Sequence, residues 1–397
     1  MSRLLLTTAI VASTSLAHAI FQRRYAMQEK KTNTAPSKEL PSVDVLIAVR
    51  NEQPERLTQT LDSLLGQYPQ EKLHVYIIDD ASADDKRERL IPIYERYGKL
   101  ENWHIKLLKK NEGKRKAQNA VFHLGNGELV LMGDSDSPFA PDAIYPMVAR
   151  FQDTSIGAVA GKVDVANAEK NELTRLLTER YRLMFDVERA AQSTFGAVWT
   201  CTGPIAMYRR ELLEKIWPAY INQTFNGQPC LSGDDLQLTN LVIQEGYQAI
   251  YEDKAKVWTY VPETLGEYFQ QQTRWNRSML RDARSSIVSA IARTEATNHP
   301  FPLIDTMVRT YFPFAPLIPV STAGAHIFTH KRVRGDIATL LIMLGIRAGI
   351  TYWNAKPEKV NRLRFTVEYG MIHLTLLLPA RLWAYITRSS RSWGTRK

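Results

Sequence analysis

A chain of 397 residues with 44% hydrophobic content can bury a sizeable core and has room for one large domain with appended segments. Its net charge of +10 could serve nucleic acid, but no basic helix with interleaved aromatics and no zinc-finger spacing accompanies it, so nucleic acid is excluded as an expected partner. Cys201 and Cys230 are the only cysteines, without a C-x-x-C or a histidine partner, which excludes a disulfide framework and fits a reducing compartment.

The N-terminus reads apolar from Leu4 to Phe21, about the ~20 residues that span a bilayer. The Ala17-His18-Ala19 triplet also fits a cleaved signal peptide, but Arg23 and Arg24 follow at once, and we read an uncleaved anchor that keeps the rest of the chain cytoplasmic. Residues 22–40 are polar and read as a linker. From Val43 the pattern changes to short β-rich runs, "VDVLIAV" and "HVYIIDD", separated by "PERLTQTLDSLLGQ" with leucines at helical spacing. That is a β-α-β unit and predicts a parallel sheet. "WHIKLLKK" and "ELVLMGD" add strands, with a helical "GKRKAQNAVFHLG" between them. Ligands of such sheets sit beyond the carboxyl ends of the strands, where Asn51-Glu52, Asp79-Asp80 and Asp134-Ser135-Asp136 fall.

Residues 171–195 form one long amphipathic helix, in the core or on a membrane interface. Past residue 300 come three apolar stretches, 306–328, 336–353 and 367–386, interrupted by Pro313, Pro316, Pro319, Pro379, Arg309, Arg347 and Arg381. They are membrane segments facing protein or a wet cavity, or else buried helices of a soluble domain. On the first reading, 306–328 and 336–353 cross, while 367–386 is re-entrant or interfacial. Basic residues flank these stretches, which suits a membrane surface.

Three constellations can carry chemistry. Asp134 and Asp136, at i and i+2, leave a strand on one face and can share a hard cation completed by diphosphate and water; a solvated turn is the plain alternative. Lys114 and Arg115 could neutralise the phosphates. Asp234 and Asp235 follow Gly233 and open a helix; they can be caps, or Asp235 can be a general base. With a metal-bound nucleoside diphosphate as leaving group, one carboxylate suffices and a single displacement inverts the anomeric carbon. Gln271, Arg274 and Trp275 share a helix face, offering a guanidinium fork and an aromatic platform, or simply an amphipathic helix with a buried tryptophan.

D-x-D, G-D-D and Q-x-x-R-W, in this order and spacing, resemble the processive family 2 glycosyltransferases, nearest to bacterial hyaluronan synthases of the streptococcal type. "DVERAAQS", "CTGPIAMYRRE", "NQTFNGQPCLSGDDLQLTN", "QQTRWNRSMLRD" and "SWGTRK" carry the likeness, closely over about residues 43–290. The resemblance implies an α/β fold: a GT-A-type nucleotide-sugar domain with a mostly parallel sheet, plus N- and C-terminal membrane helices. The implied divisions are an anchor and linker (1–40), a catalytic domain with interface helices (41–290), and a membrane region with a gating tail (291–397). It implies UDP-GlcNAc and UDP-GlcUA as donors, a growing polysaccharide and membrane lipid as partners, and Mg²⁺ or Mn²⁺ as cofactor. A chitin-type enzyme making a β-linked GlcNAc polymer is the alternative. By the resemblance Asp80 contacts the uridine, Asp136 the metal with Asp134 close to the nucleotide, and Lys114 and Arg115 the nucleotide. Gln271 and Arg274 hold the diphosphate, Asp235 is the base, and Trp275 meets the acceptor. Cys201, Thr202 and Gly203 lie at the growing end, and Trp393 and Arg396 close a gate over UDP. Two features depart from the family: Ala48-Val49-Arg50-Asn51-Glu52 stands where Pro-x-Tyr/Phe-Asn-Glu is common, and one N-terminal apolar segment stands where two are typical.

Overall fold

The structure, a computed structural model, describes residues 3–27, 39–315, 317–328, 334–354 and 361–390. Strands β1 (Val43–Val49), β2 (Leu73–Asp79), β3 (Trp103–Leu107), β4 (Leu129–Asp134), β5 (Ile156–Val165), β6 (Ile205–Arg209) and β9 (Gln248–Thr259) form one sheet. A small hairpin, β7 (Thr224–Phe225) and β8 (Gln228–Pro229), stands apart. The sheet order is β3-β2-β1-β4-β6-β5-β9. All neighbours pair in parallel except across β6, which is antiparallel to both β4 and β5. The sheet is therefore mostly parallel, as the β-α-β pattern predicts.

Register explains the crevice. Val49 pairs with Asp79, Ala48 with Asp134, and Asp79 with Leu107, so the carboxyl ends of β1 to β4 finish level. Because β6 runs the other way, with Gly133 opposite Ile205, the loop entering β6 begins at that same edge. Asn51, Asp80, Asp134 and residues 199–204 are thus brought together by backbone geometry before any side chain is considered. The continuous apolar run of β1 follows from its central place, with Val45, Ile47 and Val49 all fully buried.

The helices packed on the sheet are α2 (Pro54–Leu64), α3 (Asp84–Tyr97), α4 (Lys114–Phe122), α5 (Ile144–Arg150), α8 (Arg210–Ile221) and α9 (Asp234–Gln244). Asp44, buried at the amino end of β1, ties the base of the domain by accepting from Arg210 of α8 and from the Gly127 amide at 3.0 Å. The helix expected over 171–195 is α6 (Glu172–Leu183), a π-helical turn (Met184–Arg189) and α7 (Ala190–Ser193) in sequence. The long α10 (Leu265–Thr297) starts with a reciprocal Thr264/Glu267 capping box. It runs unbroken through residue 290, so the domain boundary expected there falls inside a helix.

The N-terminal α1 (Arg3–Ala26) carries helix into the stretch read as linker. Residues 306–328 are not one helix but α11 (Phe301–Tyr311), a 3₁₀ turn (Phe312–Phe314) and α12 (Leu317–Phe328). Pro313 and Pro316, which lack amide donors, lie between them. The last stretch is α14 (Arg362–Ile372), a π turn (His373–Leu377) and α15 (Leu378–Ile386). Pro379, which lacks an amide donor, follows directly on the π turn, so the helix widens just before the residue that cannot supply the next backbone bond. Among the described residues one helix, α13 (Arg334–Asn354), is long and apolar enough to cross a membrane by length and composition.

Candidate active site

A cavity of about 1440 Å³ opens at the carboxyl edge of the sheet and continues between α1, α6, α11, α13 and the α14–α15 pair. At its outer end Asp80 accepts the amides of Glu112 and Gly113, at 2.7 and 2.9 Å. Gly113 reaches this position with φ +88, a conformation that favours glycine. Burial raises the Asp80 pKa, and these two amide bonds and Arg50 oppose the rise. Arg50 donates to the Asp80 carbonyl at 2.9 Å and stands on the cavity wall.

Deeper in, Lys114 at the start of α4 joins two strand and helix ends. Its Nζ lies 2.6 Å from Asp134 of β4 and 3.5 Å from Asp234 of α9. Burial alone pulls the ammonium pKa down, but Asp134 and Asp234 outweigh it and leave it raised, so Lys114 is a fixed cation. Asp234 is lowered in turn, its burial penalty overcome by Lys114 and Arg115. Gly203 closes on this cluster: a Cβ there would sit 3.2 Å from Lys114 Nζ and 3.3 Å from Asp134 Oδ2.

Asp235 differs from its neighbour. Its carboxylate accepts the Leu236 amide at 2.9 Å, and burial followed by the charge of Asp234 pushes its pKa up to about 6. Two adjacent carboxylates with pKa values driven apart are what acid–base chemistry near neutrality requires. The neighbouring α10 contributes Gln271, Arg274 and Trp275 to the cavity lining, and Trp275 keeps 42% of its surface exposed.

Two expected residues face elsewhere. Arg115 lies behind the wall, donating to the Tyr220 carbonyl at 2.9 Å and to Gln237, with its guanidinium 5.0 Å from the Tyr220 ring. Consecutive helix positions point ~100° apart, so Lys114 and Arg115 do not share the crevice. Cys201 packs in the apolar core, fully buried, its thiol raised by burial to about 12. Thr200, Thr202 and Gly203 line the cavity instead. The Cys201 amide binds Thr239 Oγ1 at 2.8 Å, and that hydroxyl donates to the Asp235 carbonyl at 2.7 Å, which links the loop to the carboxylate's own helix. Trp393 and Arg396 lie outside the described residues.

Sequence reasoning missed the inner wall. Gln192 donates to Asp305 at 2.6 Å, while its oxygen accepts from Arg189 at 2.8 Å and from the Trp199 amide at 2.9 Å. Glu188 accepts from Arg180 at 2.9 Å and Arg309 at 2.8 Å, which outweigh its burial and lower it to about 2. "DVERAAQS" contains three of these residues, Glu188, Arg189 and Gln192, but the α11 partners of Glu188 and Gln192 are more than a hundred positions away.

Among the described residues no cluster of three or more His, Cys, Asp or Glu forms a closed metal site. Asp134 and Asp136, both lining the cavity at one strand end, fit instead a hard cation that takes its remaining oxygens from diphosphate and water.

The model of the family described as Glycosyl transferase family 2 matches residues 44–217. An N-acetylglucosaminyltransferase of Rhizobium meliloti (strain 1021) is 36% identical over 361 residues, covering 90% of this chain and 82% of its own length. One from Neorhizobium galegae is 33% identical, covering 95% and 85%. A hyaluronan synthase of Streptococcus pyogenes is 32% identical, covering 89% and 83%. A solved mannosyltransferase, PcManGT from Pyrobaculum calidifontis in complex with GDP-Man and Mn²⁺, superimposes with a TM-score of 0.60 at 20% identity. It is covered completely, with 98% of this chain, and the likeness shows a shared GT-A-type fold.

Proposed function

This chain belongs to glycosyl transferase family 2, and from that premise we propose that it transfers N-acetylglucosamine from UDP-GlcNAc with inversion, building a β-linked oligomer or polymer at a membrane. The observation that carries the reading is Asp235: a carboxylate of pKa about 6 lining the cavity to which α10 contributes Gln271, Arg274 and Trp275. A base of that pKa is largely ionised at neutral pH and still a competent proton acceptor.

In this reading Asp80 receives the nucleoside, and Lys114, Gln271 and Arg274 surround the diphosphate. Mg²⁺ or Mn²⁺ held by Asp136 with Asp134 supplies charge neutralisation at the leaving diphosphate. Asp235 removes the proton from the attacking hydroxyl of an acceptor resting on Trp275, Thr202 and Gly203. Fixing both reactants in one cavity supplies the orientation that a displacement needs. Arg115 acts indirectly, through α9.

A neutral donor is favoured because Lys114 and Arg115, the cations acting on neighbouring Asp234, are already engaged, Lys114 by Asp134 and Asp234, and Arg115 by Tyr220 and Gln237. Hyaluronan synthesis from UDP-GlcNAc and UDP-GlcUA is the second reading. It draws on the Streptococcus pyogenes relative and on Arg189 of the inner cavity, whose buried Nε has no hydrogen-bond partner among the described residues and could meet a carboxylate-bearing chain.

The membrane arrangement belongs to the same proposal: α1 and α13 as anchoring helices, the sheet domain in the cytoplasm, and residues 291–397 as a membrane region sharing α10 with the catalytic domain. The tail carrying Trp393 and Arg396 would start close to the site, since Thr387 accepts from Arg277 at 3.0 Å and Ser389 from Asn226 at 3.3 Å. The test is product formation by detergent-solubilised protein with Mn²⁺ and labelled UDP-GlcNAc, with and without UDP-GlcUA. Chitinase-sensitive product from UDP-GlcNAc alone supports the first reading. Hyaluronidase-sensitive product that needs both donors moves the assignment to the second, and no product from either donor refutes both.

A further inference from the structure

Helix α10 does two things along one face. Its second and third turns offer Gln271, Arg274 and Trp275 to the cavity, and its next turns grip the loop from which Asp235 projects. Arg281 Nη2 donates to the Ser232 carbonyl at 3.2 Å, to the Ser232 hydroxyl at 2.7 Å and to Ser278 Oγ at 3.1 Å. The hydroxyls of Ser232 and Ser278 are themselves 3.1 Å apart. One residue on, Gly233 turns the chain into α9 with φ +83, and a Cβ on it would fall 2.7 Å from Ser278 Cβ. The turn is therefore pressed directly on α10, with no space for a side chain between them.

Asp282 completes the grip from the buried side. It accepts from Gln223 Nε2 at 2.6 Å, and the Gln223 carbonyl accepts the Cys230 amide at 2.9 Å, so the entry to the loop is held as well as its exit. Neither Arg281 nor Asp282 lines the cavity. A buried carboxylate and a partly buried guanidinium spent on a loop of four residues make sense where the loop's position matters.

Resting on the glycosyltransferase reading above, we propose that Arg281 and Asp282 are positioning residues for the base. They hold Ser232-Gly233 on α10, so that the Asp235 carboxylate keeps a fixed register with the acceptor platform at Trp275 on the same helix. Trp275 and Arg281 are six residues apart, ~9 Å along a rigid helix, so acceptor and base are set by one ruler. Displacing a reacting group by ~1 Å costs on the order of a hundredfold in rate, whereas donor binding at the far side of the crevice is left alone.

The experiment uses the full chain in detergent, with Arg281→Ala, Arg281→Lys, Asp282→Ala and Asp282→Asn. Initial rates are taken against donor concentration, with UDP binding and melting measured alongside. Both alanine variants should lose about 30- to 100-fold in kcat with donor KM and UDP affinity within about twofold. Lysine at 281 keeps a donor for Ser232, and asparagine at 282 keeps an acceptor for Gln223, so each should recover at least about a third of wild-type kcat. If an alanine variant does not fold, Ser232→Ala and Ser278→Ala, which remove only hydroxyls, should show the same kcat loss in smaller measure. The proposal is overturned if kcat stays within threefold of wild type, if KM rises in step with the fall in kcat, or if the conservative variants are no better than alanine. The donor assignment fails separately: wild-type protein that ignores UDP-GlcNAc but uses another nucleotide sugar refutes that reading and leaves the variants measurable with the sugar it accepts.

Discussion

Replacing Asp235 by asparagine should abolish transfer and make the protein more stable. The structure gives the size of the gain. Burial and the charge of Asp234 raise the Asp235 pKa from 3.8 to about 6 in the folded chain, roughly two units. At 1.36 kcal/mol per unit, the ionised form is disfavoured by about 3 kcal/mol relative to the unfolded chain. Water in the cavity screens part of this, which leaves about 1–2 kcal/mol. The sign follows from proton binding. The folded state holds this proton more tightly, so the penalty is absent below pH 3.8, grows between 3.8 and about 6, and is complete above it. Asparagine keeps an oxygen for the Leu236 amide and removes the charge. Melting in detergent at pH 8 should therefore rise by ~1–2 °C, while at pH 4 the variant and parent should nearly coincide. A variant that melts lower at pH 8, or that still transfers sugar at more than about 1% of the parental rate, would show that Asp235 is an ordinary helix cap.

The same carboxylate predicts a kcat–pH profile whose acidic limb falls near pH 6, and Lys114→Met should move that limb to higher pH because Lys114 opposes the rise in Asp235; an unmoved or lowered limb counts against the coupling. Gly233→Ala, forced to φ +83 and against Ser278, should cost about 2 kcal/mol in stability and at least tenfold in kcat, and parental values for both would contradict the close approach. Chelation by EDTA should stop transfer reversibly, and Asp136→Asn should raise the Mn²⁺ concentration for half-maximal rate by tenfold or more, whereas an unchanged Mn²⁺ response would remove Asp136 from the metal site.

Legibility in the sequence followed the distance over which a side chain finds its partners. The crevice was readable because strands end where apolar runs end, and parallel pairing then brings Asp80 and Asp134 to one edge without further information. The face of Gln271, Arg274 and Trp275 was readable because helical periodicity fixes it locally. The same local rules, applied strictly, correct one expectation. Lys114 and Arg115 are adjacent in a helix and must diverge, and one supports the crevice while the other braces α9. Thr200 and Thr202 line the cavity, whereas Cys201 between them packs in the core.

What no local rule supplies is the far side of the cavity. Gln192 meets Asp305 across 113 residues, and Asp305 in turn accepts from His18 at 2.7 Å and Gln22 at 3.0 Å, across 287 and 283 residues. Through the Trp199 amide this hub reaches the loop that presents Thr202 and Gly203, and through Cys201 and Thr239 that loop reaches the Asp235 carbonyl. Buried polar groups of this kind are costly unless every partner is in place. Gln192 satisfies its oxygen and its nitrogen only when α11 and the Trp199 loop are docked on α7, and its partner Asp305 in turn takes His18 and Gln22 from α1. The loop lining the cavity is therefore set by the assembly of the N- and C-terminal helices, and not by the sheet domain alone. The sheet positions the nucleotide end of the cavity by register, and the flanking helices position its inner end by hydrogen bonds that sequence neighbours cannot reveal.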